Sequence, residues 1–415
     1  MDEGPRAVSW PTTRAEHLVR FERGHSTSEV ELNNASEGTR YLRTSDLMYG
    51  TPKDPADGRY AAQLPPRPVL KQLDEPVATI EGFVRADSGS TIGVVCWSGE
   101  GLLNNHVVRV ASKDTSRMDV RFARYAALRE ENMGLLRAGA QGAISQSSGH
   151  VLRTLRIPVP PLREQRRIAD FLDEQVSCIE GAANARKAQR TLLTDRWSSL
   201  VQEAFDNVDG RPISLKHLAA APLTNGLGLP GEHADPSWPR YIRTTDIAGP
   251  FALRDDVFAS QHPAVAQAAR VRVNDILMTA AGATIGKSVL ITESVDACYA
   301  GFLVRFRPAT WVEPRYIAYW MQTQDYWGQI ERGAVRSTID NFSASKYRNL
   351  TVPIPAGEQM HDLVRILDEE WAVRTRLEYV LGQSVGLLEE RKRALITAAV
   401  TGELDVTTAR TGVLA

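Results

Sequence analysis

Cysteine is scarce in this sequence: Cys96, Cys178 and Cys298 are the only three among 415 residues. Their odd number and wide spacing argue against a disulfide framework and against a cysteine-based zinc site. No run of about 18 apolar residues occurs, which predicts no membrane-spanning helix. The first six residues are acidic and lack an apolar stretch, which predicts no signal peptide. We therefore expect a protein of the cytoplasm.

An excess of charge of either sign is also absent. The chain has 49 basic and 50 acidic residues and a net charge of −1. This balance argues against a protein that coats nucleic acid through bulk charge, but it allows basic residues to be grouped on one face. The eight histidines show no metal-ligand spacing. With 43% apolar residues, a chain of this length predicts two or more domains with their own cores.

The sequence contains one pattern twice. Residues 157–174 begin Ile-Pro-Val-Pro and reach Leu-Asp-Glu, and residues 352–369 begin Val-Pro-Ile-Pro and reach the same Leu-Asp-Glu, 195 positions later. Earlier segments repeat too: Tyr-Leu-Arg-Thr-Ser-Asp-Leu at 41–47 returns as Tyr-Ile-Arg-Thr-Thr-Asp-Ile at 241–247. The shifts vary between segments, which places small insertions in loops. These repeated segments indicate that the chain arose by tandem duplication.

Each repeat predicts a globular region followed by a long helix. Short β-type segments separated by Gly, Pro, Asp and Asn, with a few helical pieces, favour a mixed α/β fold. In the second copy, residues 276–279 and 289–292 flank a Gly282–Gly286 turn as two strands, and Pro314 begins a helix. The turn at Gly89–Gly93 is its counterpart in the first copy.

The segments that follow the two globular regions have apolar residues at the 3/4 spacing of a coiled-coil packing face. These residues are Leu172, Val176, Ile179, Ala183, Leu193, Trp197, Leu200 and Ala204 in the first segment, and Leu367, Trp371, Leu381, Val385, Leu388, Leu395 and Ala399 in the second. We expect the two helices to pack antiparallel, with the globular regions related by a pseudo-twofold axis. The alternative is that each helix only caps its own domain.

Two motifs carry a family resemblance. The first is Ile-Pro-Val-Pro-Pro-Leu-x-Glu-Gln at 157–165, and the second is the segment from Leu387-Leu388 to Ala399-Val400-Thr401-Gly402. With the duplication, the chain resembles the DNA specificity (S) subunits of type I restriction-modification systems over nearly its whole length. It departs from the family pattern at 355–359 and 203–207.

The resemblance implies an organisation into two target recognition domains and two spacer helices. The expected boundaries are 1–155 for the first recognition domain, 156–208 for the first helix, 209–350 for the second domain, 351–406 for the second helix and 407–415 for a tail. Each domain would recognise one half of a split, asymmetric DNA target in double-stranded DNA, and the helices would fix the gap between the halves. Two recognition units held about one helical turn apart would meet the same groove.

The resemblance also implies partners. Two adenine methyltransferase (M) subunits would dock on the helices, and two translocase-nuclease (R) subunits would join them, in phage defence through DNA methylation and restriction. The chain itself would be non-catalytic and without a cofactor; S-adenosylmethionine, ATP and Mg would belong to the partners. Two alternatives remain: a specificity subunit of a methylation-only complex, and a duplicated protein-binding scaffold that does not recognise DNA.

Candidate DNA contacts are polar residues in turns where the copies agree in backbone pattern, because Arg, Asn and Gln recognise base edges while Ser and Thr contact phosphates. They are Arg43, Thr44, Ser90, Thr91, Gln141, Ser145 and Gln146 in the first region, and Arg243, Thr244, Thr284, Lys287, Arg332, Arg336, Ser337 and Asn341 in the second. The alternative is that Arg43 and Arg243 form structural ion pairs with Asp46 and Asp246, and that the other residues are solvated.

One segment mimics a nucleotide-binding loop. Residues 281–288 read Ala-Gly-Ala-Thr-Ile-Gly-Lys-Ser. A phosphate-binding loop needs a helix after Lys-Ser, whose N-terminus holds the phosphate. Here Val289–Thr292 is predicted to be a strand, which argues against nucleotide hydrolysis.

Overall fold

The computed structural model describes residues 10–26, 31–33, 37–43, 59–61, 76–79, 94–96, 101–104, 107–140, 151–333 and 342–409. The chain divides into two compact units. Unit 1 comprises Met1–Arg186 and Gln383–Ala415, and unit 2 comprises Lys187–Gly382. Each unit therefore combines a globular region with parts of two long helices.

Short strands and helices build the globular region of unit 1. The described strands are β1 (Thr12–Arg14), β2 (Val19–Arg23), β3 (Leu32–Asn33), β4 (Thr39–Leu42), β5 (Arg59–Ala61), β6 (Pro76–Thr79), β7 (Val94–Cys96), β8 (Leu102–Leu103), β9 (Val107–Ser112) and β10 (Arg156–Pro158). The helices are α1 (Ala15–Leu18), α2 (Val120–Ala127) and α3 (Glu130–Ala140), and the long helix α4 (Leu162–Asp206) follows. Asp119 caps α2 by accepting hydrogen bonds from the Arg121 and Phe122 amides.

Unit 2 repeats this plan. Its strands are β11 (Gly210–Ser214), β12 (Thr224–Asn225), β13 (Arg240–Ile242), β14 (Ile247–Gly249), β15 (Ala252–Leu253), β16 (Ile276–Thr279), β17 (Ser288–Leu290), β18 (Ala297–Tyr299), β19 (Leu303–Phe306) and β20 (Thr351–Pro355). Its helices are α5 (Leu215–Leu218), α6 (Pro263–Ala266), α7 (Pro314–Trp320), α8 (Gln324–Gly333) and α9 (Ala344–Tyr347), before the long helix α10 (Gln359–Thr401). Short 3-10 turns span Thr244–Asp246 and Gln267–Ala269.

The duplication extends to sheet topology. A four-stranded antiparallel sheet has the order β2-β9-β6-β7 in unit 1 and β12-β19-β16-β17 in unit 2. A parallel pair, β4 with β8, corresponds to β13 with β18. In both units the first strand of the region pairs antiparallel with the strand that precedes the long helix: β1 with β10, and β11 with β20. The predicted mixed α/β class with an internal repeat and two long helices is confirmed.

The strands β10 and β20 show where each long helix begins. Residues 156–161 and 351–358, which the sequence places in the spacer segments, form a strand and a connection, and helical structure starts at Leu162 and Gln359. Pro161 ends the first connection, and its carbonyl accepts hydrogen bonds from the amides of Glu164 and Gln165.

Gln165 explains part of the motif at 157–165. Its side chain is fully buried, accepts a hydrogen bond from the Asp119 amide at 2.8 Å, and donates to the carbonyls of Arg117 and Pro160. A buried amide side chain needs hydrogen-bond partners for its donor and acceptor groups. Because these partners lie outside α4, the three hydrogen bonds hold the start of α4 against the globular region. Gln359 of the second copy is exposed, which matches the departure of that motif from the first.

Within each unit, one end of α4 meets the opposite end of α10, as antiparallel helices require. In unit 1 the amine of Lys392 on α10 lies 3.3 Å from the carboxylate of Glu180 on α4. In unit 2 the ring centroids of Trp197 and Trp371 are 5.0 Å apart, and the Arg374 guanidinium stacks on Trp371 at 4.8 Å. Lys392 thus forms a contact between the two helices, and Arg374 forms one along α10.

Apolar packing holds each globular region on its helices. In unit 1 one core contains Phe122 and Tyr125 of α2, Leu172 of α4 and Val400 of α10. In unit 2 the core that contains Trp197 and Val201 also includes Tyr316 and Trp320 of α7 and Leu367 of α10. None of the described helices is long and apolar enough to cross a membrane.

Candidate nucleic-acid interface

The Gly282–Gly286 turn joins β16 to β17 at one end of the four-stranded sheet of unit 2. Gly282 and Gly286 have φ angles of +83° and +88°, a backbone conformation that glycine adopts without strain. A Cβ atom at Gly286 would lie 2.6 Å from the ring of Trp327. The turn therefore needs glycine at position 286 for both conformation and space.

Two buried tyrosines hold this turn in place. Tyr347 donates a hydrogen bond to the Thr279 carbonyl at 2.6 Å and accepts one from the Gly286 amide, and Tyr326 donates to the Gly286 carbonyl at 2.7 Å. Burial raises the pKa of both phenols well above the ordinary tyrosine value, so they remain protonated donors at neutral pH. The turn presents a fixed backbone to its surroundings.

Three further segments meet the turn at the same end of the sheet. The Phe302 carbonyl accepts a hydrogen bond from Ala280, and the Ala280 carbonyl accepts one from Phe342. Trp327 of α8 packs on Gly286, and Phe342 packs on Gly333 at the end of α8. Arg332 lies in the last turn of α8, with its guanidinium over Gly328. The β16–β17 turn, the residue before β19, the end of α8 and the start of residues 342–347 thus share one edge, which we name the turn edge of unit 2.

The turn edge combines exposed aromatic and polar groups. Phe302 is 66% exposed and Trp327 is 38% exposed, while Thr284 and Arg332 are also exposed. Aromatic rings that face solvent stack on nucleobases, and arginine binds phosphates or guanine edges. A rigid glycine turn beside such residues fits contact with a nucleic acid.

Among the predicted site residues, Thr284, Lys287 and Arg332 lie at or next to this edge. The Lys287 amine donates to the Ile247 carbonyl at 2.6 Å, which holds it within the protein fold. β17 begins at Ser288, directly after Lys287, so the helix that a phosphate-binding loop requires is not there. The Lys287 amine is therefore bound to the backbone of unit 2 at Ile247.

Arg243 and Asp246 form the structural ion pair that the sequence leaves as an alternative. The Arg243 side chain donates to the Asp246 carboxylate at 3.0 and 3.2 Å, and the Arg243 amide donates to it as well. Asp246 is fully buried, and Thr244 is partly buried at the start of the 3-10 turn. Arg243 therefore closes the turn after β13, and Ile247, which binds Lys287, is the next residue after that turn.

The structure describes less of the corresponding edge in unit 1. Arg43 follows β4 directly, at the place that Arg243 holds after β13, and is partly buried. The other predicted contacts lie outside the described residues. They are Thr44, Ser90, Thr91, Gln141, Ser145 and Gln146 in the first region and Arg336, Ser337 and Asn341 in the second.

Phe302 and Trp327 are missing from the sequence-based candidates. The pattern of α8 could have identified Trp327, because Tyr326 and Ile330 are the buried residues of this helix and Trp327 points away from their face. Phe302 follows Gly301 between two strands, a position that carries no distinct signal of exposure. In the described part of the chain, no group of three or more His, Cys, Asp or Glu residues could hold a metal ion.

Comparison with known proteins agrees with this architecture. Residues 70–189 match the family model described as "Type I restriction modification DNA specificity domain". The chain is 22% identical over 430 residues to the Type I restriction enzyme EcoBI specificity subunit of Escherichia coli, covering 95% of this chain and 86% of that protein. It is 25% identical over 167 residues to the Type I restriction enzyme StySPI specificity subunit of Salmonella potsdam, covering 39% and 36%.

A solved structure supports the fold independently. A chain from work on complex assembly and conformational transition of the type I R-M system matches with a TM-score of 0.64 at 14% identity, covering 95% of this chain and 98% of that chain. The fold class is thus a duplicated α/β protein in which each globular region is joined to a long helix. By sequence, the chain is similar over most of its length to a type I restriction enzyme specificity subunit, and residues 70–189 match the model of that specificity domain.

Proposed function

We propose that each globular region recognises one half of a bipartite DNA target and that α4 and α10 fix the gap between the halves. The observation that carries this proposal is the duplicated topology, in which the same sheet order and the same strand pairing next to a long helix occur in both units. Two copies with different loops suit two different half-sites, and hence an asymmetric target.

In unit 2, the turn edge supplies the proposed DNA contacts. Phe302 and Trp327 offer stacking surfaces, and Arg332 offers a charge at the end of α8. The near-zero net charge of the chain suits a subunit whose partners provide part of the phosphate contact. The proposed role of the turn edge is recognition of DNA.

The surface of α10 in unit 2 supports docking of a partner helix. Ile366, Val373 and Val380 are 51%, 56% and 53% exposed and are spaced by seven residues, with Leu377 at 43% beside them. Seven-residue spacing places these side chains in one stripe on the helix, the pattern that packs against another helix. We name these four residues the α10 stripe.

The proposed occupant of the α10 stripe is a helix of an adenine methyltransferase subunit. An apolar stripe of this kind on a long surface helix marks an interaction site. In the proposed complex, two methyltransferase subunits bind this chain and two translocase-nuclease subunits join them. S-adenosylmethionine, ATP and Mg then belong to those partners, and the complex works in the cytoplasm.

Exchanging one region tests the recognition role. Residues 209–350 are replaced by the corresponding segment of a family relative, and the hybrid is co-expressed with the methyltransferase subunit. We expect methylation at a target in which one half-site is new and the other half-site and the gap are retained. A matched exchange of residues 1–155 should change the opposite half. A hybrid that assembles but keeps both original half-sites would contradict recognition by this region and favour the scaffold role.

A further inference from the structure

A carboxylate on α4 binds three side chains of α2 in unit 1. Asp173 accepts hydrogen bonds from the Tyr125 hydroxyl at 2.6 Å, from Arg124 at 2.7 Å and from Arg121 at 3.1 Å. The two arginines also form ion pairs with it. This cluster joins a helix of the globular region to the long helix that follows it.

Unit 2 contains the same arrangement between α7 and α10. Asp368 accepts hydrogen bonds from the Tyr319 hydroxyl at 2.5 Å and from Arg315 at 2.6 Å, and Arg315 also donates to the Tyr319 oxygen at 3.2 Å. Phe251 stacks on Arg315, whose guanidinium carbon lies 4.5 Å from the ring centroid. The geometry again connects the globular region to its long helix.

The two clusters are equivalent by the internal repeat. Arg315 and Tyr319 each lie 194 residues after Arg121 and Tyr125, and Asp368 lies 195 residues after Asp173. In both helices the arginine and the tyrosine are four residues apart, which places them on one face. We name Arg121–Tyr125–Asp173 and Arg315–Tyr319–Asp368 the junction triads.

The physical properties of the triads suit a directional joint. Burial raises the pKa of Tyr125 and of Tyr319, so both hydroxyls remain donors to the carboxylates. The Asp173 and Asp368 side chains are 34% and 36% exposed, so solvent screens part of the charge interaction. Apolar packing alone has no preferred direction, so it allows a globular region to slide or rotate on its helix. Several charge-assisted hydrogen bonds to one carboxylate fix both the position and the angle of that region.

We propose that the junction triads are positioning residues for specificity: they fix the angle and register of each globular region on its helix and so restrict the gap length that the protein accepts. This inference rests on the proposed recognition of a bipartite target. A gap change of one base pair moves a half-site by about 3.4 Å along the duplex and rotates it by roughly a tenth of a turn. A rigid joint rejects such a displacement, and a loosened joint tolerates it.

The test measures methylation of duplexes whose gap is one base pair shorter, native or one base pair longer, using the complex with its methyltransferase. The variants are Asp173→Ala and Asp368→Ala, with Glu174→Ala and Glu369→Ala as matched controls at the neighbouring exposed positions. We expect the methylation of off-gap duplexes, relative to the native gap, to rise roughly tenfold in each aspartate variant. The variant loses the hydrogen bonds to the carboxylate, and the net contribution of about one charge-assisted hydrogen bond corresponds to a factor of this size. Half-site preference and both controls should remain as in the wild type.

Tyr125→Phe and Tyr319→Phe keep the test decisive if the aspartate variants do not fold, because they remove only the hydroxyl. They should shift gap selectivity in the same direction by a smaller factor. Native gap selectivity in every folded triad variant, including variants with a lowered melting temperature, would overturn the inference and leave the triads a purely structural role. Failure of the proposed function is distinguishable, because the wild-type protein would then show no bipartite target at all.

Discussion

Replacing Val373 and Val380 together by aspartate should abolish assembly with the methyltransferase subunit and leave the fold intact. Both side chains are more than half exposed in this chain, so the folded subunit loses little packing. In the proposed complex both valines are buried, and the burial of each contributes about 1.5 kcal/mol or more to the free energy of binding. An aspartate at either position would bury an unpaired charge. We expect affinity to fall by at least about 100-fold, since each 1.4 kcal/mol is about tenfold.

A matched control on the same helix is Tyr379→Asp. Tyr379 is 67% exposed and lies outside the α10 stripe, so the substitution introduces one aspartate charge on a different face of the same helix. Titration calorimetry with the purified methyltransferase subunit measures the affinity, and circular dichroism compares the melting temperatures of the free subunits. Wild-type affinity in the Val373→Asp/Val380→Asp protein would show that the partner binds elsewhere.

Asp275→Ala should strongly reduce the stability of unit 2. Asp275 is fully buried and accepts two parallel hydrogen bonds from Arg307, at 2.6 and 2.7 Å, and one from the Arg272 amide at 2.8 Å. Its removal leaves the Arg307 guanidinium, only 21% exposed, without its carboxylate. Breaking such a pair costs about 3 kcal/mol or more in the free energy of unfolding.

Asp256→Ala is the matched control for this prediction. Asp256 also accepts two hydrogen bonds from one arginine, Arg254, but both side chains are exposed, at 61% and 41%. Exposed pairs of this kind contribute little to stability, so urea denaturation should show no measurable change. Equal effects of the two substitutions would contradict the assigned difference in burial.

The sequence predicts the architecture well because a duplication supplies two independent versions of one fold. A glycine turn and a Pro-rich entry to each long helix occur at matching positions, so each copy supports the interpretation of the other. The strand at each helix entry is less predictable. Strand β20, with prolines at 353 and 355, pairs with β11 about 140 residues earlier in the chain, a long-range contact that local propensity does not encode.

The candidate site is less predictable because residue type does not reveal a side chain's partner. Arg243 and Lys287 suit DNA contact by type, yet the structure binds one to Asp246 and the other to the Ile247 carbonyl. Conversely, Phe302 is apolar by type but 66% exposed at the turn edge. The junction triads show the same limit, since their residues repeat visibly in the sequence but lie about 50 positions apart in the chain.

The most direct test of bipartite recognition is a methylation map of the wild-type protein. The chain is co-expressed with its methyltransferase subunit in a host without related enzymes, and modified adenines are located across the genome by long-read sequencing. Our account predicts methylation at one asymmetric motif, with two different half-sites separated by a gap of fixed length. A co-purifying complex that methylates no motif, or only a continuous one, would contradict the account.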